Sequence, residues 1–86
     1  MTDSLIEFPC NFPIKIIGYN STTFLQNITD ITLRHFPNFE QDNISQKPSQ
    51  GDNYLAITVT VYALNKEMLD NFYRELTQHP EVKMVL

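Results

Sequence analysis

The clearest pattern in the chain is the alternation over Tyr54–Ala63. Leu55, Ile57, Val59 and Val61 fall on one side of an extended backbone, and Tyr54, Ala56, Thr58, Thr60 and Tyr62 on the other. A period of two in β-branched and aromatic residues predicts a strand. Its aliphatic side needs a cover of helices, whereas its Thr/Tyr side is suited to water or a partner.

The other elements follow from weaker versions of the same signals. Phe12, Ile14 and Ile16 alternate with Pro13, Lys15 and Ile17, which predicts a first strand ending at Gly18. Pro13 has no N–H, so it belongs at the strand start or on a side that pairs with nothing. Residues 1–11 lack periodicity and predict an arm anchored by Leu5, Ile6 and Phe8. Gly18–Thr22 reads as a turn into a helix capped by Ser21, or alternatively by Thr23 with Gln26 in a capping box. Phe24, Ile28 and Ile31 then stack at helical spacing beside Leu25 and Phe36, and Pro37 ends the helix. Leu33 lies off that stripe, either as a lone exposed leucine or as part of a contact surface.

A polar second strand is expected within Phe39–Gln46, near Ile44, followed by a loop of turn residues over Lys47–Asn53. Beyond the long strand, Asn65 is the expected N-cap of a second helix, with Leu64 stapled to Leu69. Leu69, Phe72, Tyr73 and Leu76 form its apolar face, and Pro80 ends it. Val82, Met84 and Leu86 alternate with Lys83 and Val85 in a last strand.

Strand, helix, strand, strand, helix, strand is the split βαβ order of an α+β, ferredoxin-like fold. Right-handed crossovers place both helices on one face of a four-stranded antiparallel sheet, with the first strand and Tyr54–Ala63 as its central pair. Eighty-six residues suffice for one domain and no second core.

Composition narrows the function classes. A net charge of −4 argues against a general nucleic-acid binder and against charge-driven docking on anionic membrane. Cys10 is the only cysteine, which excludes an internal disulfide and fits a reducing compartment. No basic, apolar leader opens the sequence, and the apolar runs are far shorter than the ~20 residues of a bilayer span, so a cytoplasmic protein is expected.

Three stretches together resemble the YbeD-like family of small bacterial proteins. They are the leader Leu5-Ile-Glu-Phe-Pro-Cys-Asn-Phe-Pro-Ile-Lys-Ile-Ile-Gly18, the segment Ser49-Gln-Gly-Asp-Asn-Tyr54, and the closing Val82-Lys-Met-Val-Leu86. The resemblance runs nearly end to end. It implies the same ferredoxin-like fold, similar to the ACT domains that sense small molecules for amino-acid metabolic enzymes. It supplies no reaction. The family usually has Lys-Gly before the Asn-Tyr pair, whereas this chain has Gly51-Asp52, which removes a positive charge from that loop.

The candidate residues divide into two groups. Gly18, Asn20 and Ser21, with Lys15 nearby, form the turn where an ACT-like domain would hold a ligand's carboxylate on free N–H groups at a helix start. The competing reading of Gly18 is a tight turn and nothing more. Leu33 and the open-face residues Tyr54, Thr58, Thr60 and Tyr62 form a candidate interaction face.

Base stacking on this fold uses aromatics on both central strands in a basic surround. The first strand offers only Lys15 and Ile17, so nucleic acid is not an expected partner. His35, His79 and Cys10 share no metal-ligand spacing. Arg34, His35 and His79 instead complement helix C-termini. Glu67, Asp70 and Glu75 fall on the wet side of the second helix, so no catalytic pair and no cofactor signature can be named. The expectation is a non-enzymatic protein–protein interaction or regulatory module, with a homodimer as one form of it. The alternative is an ACT-like sensor of a small anionic metabolite such as an amino acid.

Overall fold

A computed structural model of the chain describes residues 8–49, 51 and 53–86. Four strands, β1 (Cys10–Tyr19), β2 (Ile44–Pro48), β3 (Tyr54–Ala63) and β4 (Val82–Val85), form one antiparallel sheet in the order β2-β3-β1-β4. Helices α1 (Phe24–His35) and α2 (Lys66–Gln78) connect β1 to β2 and β3 to β4. This is the ferredoxin-like arrangement expected from the element order.

The core lies between the helices and one sheet face. Ile14 and Ile16 of β1 and Leu55, Ile57, Val59 and Val61 of β3 are buried there against Phe24, Ile28 and Ile31 of α1 and Leu69, Phe72 and Leu76 of α2. Phe36 and Phe72 meet edge to face at 5.2 Å, which locks α1 to α2. Thr29 and Thr32 are buried too, although their type reads as polar. Their hydroxyls donate to the carbonyls of Leu25 and Ile28, each at 2.8 Å, so no donor is stranded.

Several boundaries differ from expectation. β1 starts at Cys10 and runs through Gly18 to Tyr19, taking two residues assigned to the arm. The anchors Leu5 and Ile6 lie outside the described residues, while Phe8 packs on the core. Pro13 sits inside β1 opposite Thr60. Lys15 exchanges both backbone hydrogen bonds with Leu86, so odd positions of β1 turn their amides toward β4. Pro13 lies beyond the register of β4, and its missing N–H breaks no ladder bond.

Ser21 is not the helix cap. Thr23 holds that position without a side-chain bond to the helix, so the capping box is not made either. The polar strand extends to Pro48 and is preceded by a 3-10 turn over Gln41–Asn43. Asn65 does cap α2, its Oδ1 accepting from the Met68 amide at 3.0 Å. Leu64 remains 56% exposed, so it is a poor staple.

Candidate functional site

Two places collect the sequence's candidate residues: the turn after β1 and the face of the sheet that none of the described residues covers.

At the turn, the chain's own carbonyls take up four of the amide donors. The amide of Tyr19 donates to the Glu81 carbonyl, that of Asn20 to the Asn53 carbonyl, that of Ser21 to the Tyr19 carbonyl and that of Phe24 to the Ser21 carbonyl. The amides of Tyr19, Asn20, Ser21 and Phe24 are therefore engaged. A carboxylate does lie at this helix start, but it belongs to Glu81. The Ser21 hydroxyl donates to Glu81 Oε2 at 2.7 Å and the Asn27 carboxamide to Oε1 at 3.1 Å. The Ser21 bond, more than Asn27 or the nearby His79, holds the Glu81 carboxyl below the ordinary carboxylate range despite some desolvation.

Gly18 is buried between this corner and α1. A Cβ placed there would lie 2.4 Å from both the Glu81 carbonyl oxygen and Phe24 Cζ. The glycine is needed for close packing. The Ser49–Tyr54 motif has a similar local explanation. Ser49 Oγ accepts from the Tyr54 amide at 3.1 Å, the Ser49 amide donates to the Tyr54 carbonyl, and Gly51 adopts φ +85°. Only glycine takes that left-handed conformation at no steric cost.

The uncovered face is built by strand alternation. β1 contributes Lys15, Ile17 and Tyr19, opposite Thr58, Ala56 and Tyr54 of β3. Thr60 and Tyr62 continue the β3 row, and β2 adds Ser45 and Lys47. β4 departs from strict alternation because its register slips opposite Ile17/Gly18. Val82 and Val85 turn inward to the core, while Lys83, Met84 and Leu86 face out with the open side.

Lys83 Nζ lies 6.0 Å from the Tyr19 ring centroid and 5.8 Å from that of Tyr54, and the two rings are 5.7 Å apart. Tyr19, Tyr62, Met84 and Leu86 are each about half exposed or more. Among the described residues the charge on this face is one-sided. The four strands contain Lys15, Lys47 and Lys83 and not one Asp or Glu. Among the described residues none of these lysines is ion-paired with a carboxylate.

Leu33 stands apart from this face, half-buried on α1 and outside the core cluster. Glu75 is not simply solvated. It receives Arg34, and its Oε1 lies 2.7 Å from His35 Nε2, so it ties α2 to the end of α1. At the far end of β3, Phe36, Phe39, Tyr62, Leu64 and Met68 line a hollow of about 270 Å³ rimmed by asparagines. Sequence reasoning missed Tyr19, Lys47, Lys83 and Met84. The signal it needed was the absence of any carboxylate from every strand.

A family model described as "Protein of unknown function (DUF493)" matches residues 3–86. The chain belongs to this family. Relatives described as UPF0250 proteins are similar over more than nine-tenths of their length. The one from Janthinobacterium sp. (strain Marseille) is 49% identical over 99% of this chain and 93% of its own, and the one from Leptothrix cholodnii 49% over 96% and 91%. The YbeD-like resemblance read from the leader and the C-terminal motif is therefore sound.

Among solved structures, protein HP0495 from H. pylori superposes with TM-score 0.73 at 14% identity, covering all of this chain and 93% of that one. The ACT domain of GTP pyrophosphokinase from Chlorobium tepidum superposes with TM-score 0.66 at 18% identity, covering 88% of this chain and 84% of that one. Both establish the ferredoxin-like, ACT-like fold.

Proposed function

We propose that this DUF493 protein is a non-catalytic regulatory module that acts in the cytoplasm by docking another protein on the open face of its sheet. One observation carries the reading: a broad sheet face, covered by none of the described residues, presents cations, tyrosines and apolar side chains together. Interface cores favour aromatic residues and methionine in this way. The helices already bury the other face, so the open side is where a partner meets the sheet.

Photo-cross-linking inside cells tests the assignment. A benzophenone side chain at Thr58 or Thr60 should give discrete protein adducts, and one at Asp70, on the exposed side of α2, should not. Equal labelling from both sides, or none from the sheet, contradicts the reading.

The second reading, a sensor of a small anionic metabolite, draws on the ACT-like fold. In its simple form it needs a vacant helix start, and Glu81 lies there. An amide NMR titration against pooled amino acids separates the two. Saturable shifts centred on Gly18–Thr22 favour the sensor; shifts absent there favour the docking module.

A further inference from the structure

We infer that the protein docked on the open face presents an acidic, partly apolar segment, an inference that rests on the docking face proposed above. The chain as a whole is acidic, with ten Asp and Glu against six Lys and Arg. Half of those cations, Lys15, Lys47 and Lys83, nevertheless sit on the one sheet face, from which Asp and Glu are absent among the described residues. Such segregation gives the face a potential opposite in sign to that of the molecule. Complementary charge steers a partner to it and disfavours other orientations.

Two alternative occupants fit less well. A second copy stacked face to face would bring two cationic surfaces together at close range. A nucleic acid is closer to the geometry, because Tyr19 and Tyr54 put a ring on each central strand. However, three lysines supply little counterion release, and the remaining carboxylates repel a long polyanion. Between the lysines lie Met84, Leu86 and Tyr19, about half exposed or more. These favour side chains that bring apolar surface along with a few carboxylates, which a protein segment does and a phosphate backbone does not. Lys83, held over the two tyrosine rings, is the centre of the recognition surface.

The test uses the full chain and a fluorescein-labelled peptide of Glu and Leu in equal number. The controls are its Gln-for-Glu counterpart and an oligouridylate. The Glu/Leu peptide should bind saturably, with amide shifts on Lys15, Ala56 and Met84. Replacing Glu by Gln in the peptide, or making Lys15→Glu with Lys83→Glu in a protein shown to be folded by circular dichroism, should each weaken binding about tenfold or more. Equal binding of the Gln peptide, tighter binding of the oligouridylate, or no saturable binding overturns the inference.

Cross-linking from Thr58 separates this failure from that of the docking face. Adducts that persist in the charge-reversed protein leave the docking face standing and remove the acidic partner. Adducts absent from the unaltered protein remove both.

Discussion

Glu81 and Ser21 lie 60 residues apart in sequence, yet Ser21 Oγ donates to Glu81 Oε2 at 2.7 Å. The contact joins the entry of β4 to the start of α1. It supplies the negative charge that a helix N-terminus favours, and with Asn27 it satisfies both carboxylate oxygens. The backbone reinforces the same joint, because the Tyr19 amide donates to the Glu81 carbonyl at 3.0 Å.

The joint makes stability depend on acid. Ser21 lowers the folded-state pKa of Glu81 relative to the unfolded chain, so the unfolded state binds more protons as pH falls. The contribution is complete above the ordinary glutamate range and is lost as pH drops through the folded value. Thermal melts between pH 7 and pH 3 should show this loss, and Ser21→Ala should flatten it. Identical acid limbs for the two proteins would remove the contact from the account.

Gly18 should tolerate no side chain. In Gly18→Ala the new methyl meets the Glu81 carbonyl and the Phe24 ring together. Overpacking of this kind costs about 1–3 kcal/mol, or more where backbone is involved. For a domain of this size that lowers Tm by about 4–8 °C per kcal/mol. Adding Phe24→Leu should recover only part of the loss, since the carbonyl stays in place. Gly18→Val is therefore a folding mutation, and the sheet-face variants are better probes of function.

At the start of α2, Asn65→Ala removes the acceptor for the Met68 amide and should cost about 1 kcal/mol. Asn65→Asp retains an acceptor at the positive helix end and should remain close to the parent. Chemical denaturation of the three proteins measures both differences.

The fold was legible because its main signals are local and periodic. The alternation over Tyr54–Ala63, Asn65 before an apolar stripe, and Pro37 and Pro80 after the two helices each fix an element without tertiary help. What was missed depends on long-range contact. Ser21 looks like a cap until Glu81 arrives from the far end of the chain. The slip in β4 sends Lys83 outward next to Met84, which strict alternation does not allow. Tyr19 fell outside the first strand because Gly18 reads as a stop, and that error hid the tyrosine pair on the open face.

Glu75 links the helices unequally through its two partners. Arg34 is largely exposed, so Arg34→Ala should cost less than about 1 kcal/mol. His35 is more buried and also lies against the Phe72 ring at 5.7 Å. His35→Ala should therefore lower the melting temperature more than Arg34→Ala, and the reverse order would place the ion pair above the ring contact.

The proposed docking role of the sheet is most directly tested by NMR of the isotopically labelled protein in lysate of its native cells, at a low bound fraction. The Lys15, Ile17, Ala56, Thr58 and Met84 amides should broaden selectively, with the exposed amides of α2 unaffected. Broadening centred on α2 or on the Gly18–Thr22 turn, with the sheet silent, would contradict it.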